Sequence, residues 1–311
     1  MYLPFLKRFI MMRNNLSIFY YLLIMLFCNS CKNEDSKKEI NQQDWVSLFN
    51  GKDLTGWDIK IKDHALNENY KNTFRVEDSM IRVVYNDYEK FDNQFGHLYT
   101  HKPYSYYKLK LQYRFVGDQL ADAPEWADRN SGVMLHSQSA QSVNLNQNFP
   151  VSLEFQFLCG NGKDTVPTGN VCTPGTFITH DGKTFLGHIM NSNSKTYLKN
   201  EWISAEAEVY GDSLVRHIIN GDTVLTYTKP MIGEGFVSNA SSWTWAGITD
   251  SLVWINKANT PLKEGHIALQ AESQPLDFRR IEILNLVGCT DPKAKNYKTY
   301  YIRSDNRQCK Y

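Results

Sequence analysis

Apolar and polar side chains alternate along seven stretches of the chain: 105–116, 130–139, 151–158, 202–210, 214–228, 265–273 and 277–286. A two-residue period sends successive side chains to opposite faces of an extended chain, so each stretch reads as a β-strand with one apolar face. No convincing amphipathic helix interrupts 45–287. Within 214–228, Asn220-Gly221 separates two alternating runs; a type I′ hairpin turn needs positive φ at both central positions, which these residues tolerate. The pattern predicts an all-β, two-sheet sandwich.

Two segments, 117–129 and 229–265, are long for hairpin loops, and loops of that length often carry function. The second holds Trp243, Trp245 and Trp254. These offer either a stacking surface for sugar rings or a small aromatic core on which the loop folds back.

Parity assigns faces within three strands. Val151, Leu153, Phe155 and Phe157 point one way, leaving Ser152, Glu154 and Gln156 on the other face. Val133 and Leu135 are apolar against Gly132, Met134 and His136, while Ile267, Leu269 and Ala271 oppose His266, Gln270 and Glu272. If these strands are neighbours, His136, Glu154, Gln156, Gln270 and Glu272 converge on one floor. Any antiparallel sheet can have a solvated polar face, so alternation alone assigns no chemistry. Two-carboxylate glycosidases of the β-sandwich type commonly carry their acids on one strand as E-x-D-x-x-E, but here the strand reads Glu154-Phe155-Gln156. A second acid would have to come from elsewhere, with Glu272 the candidate. No G-x-S-x-G, H-E-x-x-H or phosphate loop occurs. His97 and His101 are four apart, but a strand does not place that spacing on one face, which argues against a metal site there.

Composition narrows the class. The chain has 311 residues, 42% of them hydrophobic, with a formal charge of +1. That suffices for a sizeable core, and near-neutrality argues against a nucleic-acid partner. Residues 1–30 carry Lys7, Arg8 and Arg13, no acid, and an apolar run from Leu16 to Phe27. This run is shorter than the roughly 20 residues a spanning helix needs and reads as a signal peptide. Cys28 and Cys31 form a C-x-x-C, but its place against a secretory apolar run disfavours a redox or zinc pair. Ser30-Cys31 resembles a lipoprotein cleavage site with Cys31 acylated, although Cys28 stands where such motifs prefer Leu. Residues 31–44 then form a solvated tether. Glu34 and Asp35 resemble the surface-export signal of Bacteroidetes lipoproteins, an ordinary polar linker being the alternative. The expected location is outside the cytoplasm, as an outer-membrane lipoprotein at the cell surface or in the periplasm.

In an exported chain disulfides are permitted. Cys289 and Cys309 are expected to pair, since they bound a small polar tail, 288–311, with little else to hold it. Cys159 and Cys172 either pair across a loop or remain buried thiols. The tail resembles a cysteine-bounded segment recurring in exported Bacteroidetes proteins and is assigned no catalytic role.

Several blocks in order, SLFNGKDLTGW (47–57), RNSGVMLHSQS (129–139), VSLEFQFL (151–158), TGNVCTPGTFI (168–178), NSNSKTY (191–197) and GHIALQAESQPLDFRRIEILNL (265–286), resemble the family known as DUF1080, described as 3-keto-disaccharide hydrolases. The resemblance runs over nearly all of 45–287, with 231–262 longer than typical. It implies a concanavalin A-like jelly roll, secretion, and action on sugars whose 3-hydroxyl has become a ketone. It implies as well a sugar 3-dehydrogenase acting in the same pathway. A 3-ketone acidifies the C2 hydrogen, so one base can start the reaction without a carboxylate nucleophile. Glu154 is the expected base with His136 second, and Glu272 the acid to the leaving oxygen. Gln156, Gln270 and Arg279 are candidates to orient the sugar or steady the enediolate, although Arg279 has Asp277 nearby as a purely structural partner. Arg129, Asn170, Thr173, His188 and Tyr197 lie in the matching blocks and are weaker candidates. No cofactor is evident. A divalent ion on the 3-keto oxygen is possible in principle, but no spacing demands one. The rival reading is a carbohydrate-binding module without catalysis.

Overall fold

The computed structural model describes residues 42–233 and 247–311. The signal peptide, Cys31, most of the tether, Trp243 and Trp245 lie outside the described residues. Two compact units are present, one of 45–287 and one containing 288–311 with 42–44.

The larger unit is a two-sheet jelly-roll sandwich, all antiparallel. Its first strands are β1 (Val46–Ser47), β2 (Trp57–Ile61), β3 (Phe74–Glu77), β4 (Met80–Val83), β5 (Gly96–Thr100) and β6 (Tyr106–Phe115). The middle holds β7 (Asn130–Ser137), β8 (Leu153–Leu158), β9 (Asn170–Cys172), β10 (Thr176–His180), β11 (Lys183–Phe185) and β12 (Ile189–Met190). The last are β13 (Ile203–Tyr210), β14 (Leu214–Ile219), β15 (Asp222–Ile232), β16 (His266–Ala271) and β17 (Leu276–Asn285). One sheet runs β11-β10-β15-β14-β13-β6-β17-β4-β3 with β1 beside β17, the other β12-β9-β8-β7-β16-β5-β2. All seven alternating stretches are strands, and Asn220 (φ 51°) and Gly221 (φ 91°) make the β14–β15 turn.

The sheets meet through the apolar parity of each strand. Phe157 stacks on Tyr113 at 3.9 Å and Phe155 on His217 at 4.0 Å, joining β8 to β6 and β14. Full burial of a ring such as Phe157 is worth about 2 to 3 kcal/mol. His217 sits wholly inside the core, hydrogen-bonded to the Gly169 carbonyl (3.0 Å) and the Tyr227 hydroxyl (3.1 Å). Burial pushes its imidazole down to about 4, so it is neutral there. Trp254, in the short helix α1 (Ser251–Ile255), packs partly buried against the core with Lys257 over its ring. That tryptophan thus serves the core of the sandwich itself.

Cys159 and Cys172 are separate, buried thiols. In the smaller unit Cys289 and Cys309 are disulfide-bonded, with Cα atoms 5.0 Å apart.

Candidate active site

The seven-stranded sheet turns its apolar parity inward and its polar parity to the opposite face. β8, β7 and β16 are consecutive neighbours, as convergence of the candidate residues required. Pairing of Leu269 with Val133 and of Gln156 with Gly132 sets one row across that face, Asn170, Gln156, Gly132, Gln270 and His97. The adjoining row carries Cys172, Glu154 and Met134. Glu272 lies one residue beyond the end of β16, on the parity of Gln270.

Over this face opens a cleft of about 530 Å³. Its polar lining is Asn130, Glu154, Gln156, Asn170, His188, Asn191 and Glu272, set against Trp126, Phe149, Leu158, Cys172, Pro174 and Ile189. Trp126, 52% exposed, stands at the rim and stacks on Phe95.

Glu154 is 7% exposed and Glu272 2%. Burial without a countercharge raises the proton affinity of both, since an ionised carboxylate loses its water and gains nothing in return. For Glu154 the result is about 8, moderated by a hydrogen bond from the Cys172 thiol. Glu272 is pushed well up by burial and by the Glu154 charge beside it. Ionising one of the pair makes ionising the other harder, so the two acids resist carrying charge together. Glu154 Oε1 and Glu272 Oε2 have no hydrogen-bond partner within the protein.

Beside the acids runs a chain of carboxamides. The Ser192 N–H donates to Asn170 Oδ1 (2.9 Å), Asn170 Nδ2 to Gln156 Oε1 (3.0 Å), and Gln156 Nε2 to Asn130 Oδ1 (3.2 Å). Asn130 in turn donates to the Trp126 carbonyl (3.3 Å). Each amide orients the next, which fixes which face is donor and which acceptor. His188 lines the far wall, and its burial pushes the imidazole down to about 4.

The structure thus brings together Glu154, Glu272, Gln156, Asn170 and His188. Gln270 shares the face but is completely buried beside His97, its amide atoms and His97 Nε2 having no protein partner. Five other candidates stand elsewhere.

His136 is the clearest correction. Leu135 and His136 both oppose Ile267, because His266 pairs with Ser137 and Ala268 with Met134. This β-bulge, with φ 50° at His136, resets the alternation. The ring turns inward to Tyr107 (5.8 Å) and the Gly211 carbonyl (3.2 Å), and its burial pushes it down to about 4.

Arg279 belongs to β17 in the other sheet, over Trp202 at 3.7 Å and bonded to Gln112 (2.9 Å). Asp277, its expected structural partner, binds Arg82 (3.3 Å) and Arg114 (2.8 Å) instead. Thr173 Oγ1 donates to the Gly187 carbonyl at 3.0 Å, holding the segment that carries His188. Tyr197 is a core residue. Arg129 has positive φ (52°) and pairs with Asp128.

Sequence reasoning missed Asn130, Cys172, Trp126 and Phe149. Asn130 shares the parity of Gly132, and Cys172 that of Asn170, so two of the four carried a signal. Among the described residues, no three His, Cys, Asp or Glu side chains gather as a metal-ligand group.

No curated protein matches the chain. Among solved structures, a protein described as a glycosyl hydrolase from Parabacteroides distasonis is 18% identical, with a TM-score of 0.45 over 81% of this chain and 96% of its own. The carbohydrate-binding module CBM66 from Bacillus subtilis is 9% identical (TM-score 0.41, 74% and 96%). A β-1,3-1,4-glucanase from a mouse hindgut metagenome is 8% identical (TM-score 0.42, 78% and 99%). None of these likenesses bears on chemistry. The model of the 3-keto-alpha-glucoside-1,2-lyase-like domain, by contrast, matches residues 44–284, and the chain belongs to that family.

Proposed function

We propose that the protein cleaves 3-keto-glycosides by elimination across C1 and C2 followed by hydration. The observation that carries this reading is the carboxyl pair, two buried acids lining one largely apolar cleft, each of raised proton affinity. A glycosidase nucleophile must be ionised to meet a developing positive charge. A carboxyl held near 8 is better matched to removing a proton from carbon, which demands a strong base.

Glu154 takes the C2 hydrogen, and the electrons form a C2–C3 double bond with negative charge on the former ketone oxygen. Donors of the amide row, Gln156 and Asn130 foremost, steady that charge. Collapse restores the ketone, forms the C1–C2 double bond and breaks the C1–oxygen bond, the leaving oxygen receiving its proton from Glu272. In the hydration, Glu272 draws a proton from water as oxygen adds to C1, and Glu154 returns its proton to C2. The pair ends as it began. The substrate presupposes a separate dehydrogenase that oxidises the 3-hydroxyl. Export and lipid anchoring through Cys31 would put the reaction outside the cytoplasm.

The test is to incubate the protein with a disaccharide and with its 3-oxidised counterpart in deuterium oxide. The expected result is cleavage of the oxidised sugar alone, with deuterium at C2. Intact 3-keto-disaccharide would mark a binding module, and equal cleavage of both sugars would overturn the mechanism.

A further inference from the structure

Glu154 pairs with Met134 in the β7–β8 register, yet its side chain does not stay above that position. A Cβ built on Gly132, two residues along β7, would lie 2.8 Å from Glu154 Oε1 and 2.9 Å from its Cγ, inside normal contact distance. The carboxyl group therefore lies diagonally over β7, in the volume a side chain at 132 would fill. β7 is the strand between β8, which bears Glu154, and β16, which leads to Glu272. Gly132 does not have a positive φ, so its backbone is one any residue adopts. Glycine in a strand interior weakens it and commonly marks a close approach. Here the approaching group is the acid itself.

We propose that Gly132 is a positioning residue for the carboxyl pair, its missing side chain being the passage through which Glu154 crosses β7 to face Glu272. On its other side Glu154 meets Cys172, its cross-strand partner on β9. The titratable groups sharing the cleft with Glu154 are thus Cys172, Glu272 and His188. Closing the passage pushes Glu154 back over its own strand, away from Glu272. The consequence for turnover rests on the function proposed above; the consequence for the two carboxyls does not.

The experiment is Gly132→Ala, read in two ways. In the ligand-free protein, carboxyl titrations followed by infrared or carbon NMR should show the two midpoints drawing together by about one pH unit, as the repulsion between the acids weakens. On a 3-keto-glycoside, kcat should fall about 100-fold with KM changed less than about threefold, the pattern of a misplaced base. Wild-type titration and turnover in a folded Gly132→Ala protein would overturn the proposal. If that variant does not fold, it is compared in a Glu154→Ala background. Restored thermal stability there identifies the Glu154 side chain as the obstacle and supports the passage. Continued instability assigns the clash to the Phe155 carbonyl, 3.0 Å from the same Cβ, and overturns it. A wild-type protein inert towards 3-keto-sugars would sink the proposed function while leaving the titration result to decide Gly132.

Discussion

Replacing Glu154 with glutamine should sharply slow turnover while making the protein more stable, and the gain should depend on pH. Unfolded, the Glu154 carboxyl titrates near its ordinary 4.5; folded, burial holds it at about 8. Between those values the folded state binds a proton that the unfolded state has lost, so wild-type stability falls as pH rises through that window and levels off above it. At about 1.4 kcal/mol per pH unit, the penalty above pH 8 reaches about 5 kcal/mol. The substituted glutamine is a neutral mimic of the protonated acid and avoids it. Below pH 4 the two proteins should be nearly equal, and at pH 9 the variant should melt roughly 10 °C higher. Thermal or urea denaturation of both proteins at pH 4 and pH 9 measures this, alongside turnover of a 3-keto-glycoside, expected to drop by about 10² to 10⁴. A variant no more stable at pH 9, or equally stabilised at both pH values, refutes the idea that Glu154 is held in the cleft against its own solvation.

Wild-type kcat/KM should rise with pH and level off above about 8, because the base must first lose its proton; a profile that falls from pH 6 would assign the acid and base differently. Glu272→Gln should slow release of a sugar leaving group by about 100-fold, yet spare an activated nitrophenolate that needs no proton, as comparison of the two substrates would reveal. Arg279→Ala should leave turnover unchanged and cost about 1 kcal/mol through loss of its contact with Trp202, measured by denaturation. Cys289→Ser should loosen the C-terminal unit by about 3 kcal/mol without changing sugar cleavage, seen as faster proteolysis after residue 288 at constant activity.

The strands were legible because an apolar face turned to the core writes a two-residue period into the sequence, even in β7, β8 and β16, whose other face is covered as well. Strands such as β2 and β5 were not. Trp57–Ile61 and Gly96–Thr100 are five residues each, too short for the period to stand out. Of the site, parity found Glu154, Gln156 and Glu272 because β8, β7 and β16 are neighbours, and family blocks added Asn170 and His188. Parity failed at His136, where one extra residue in β7 flips the face. No local pattern marks such a residue, since the bulge is defined only against the partner strand. Arg279 failed for another reason: strand order decides which sheet a polar face belongs to, and that order is a long-range property.

Asn170, Gln156 and Asn130 are carboxamides, which neither gain nor lose protons between mild acid and alkali. Their hydrogen-bonding capacity is therefore indifferent to acidity, whereas the neighbouring acids respond to it. A fall in pH would slow the proposed chemistry while leaving the amide row as ready to hold its ligand as before.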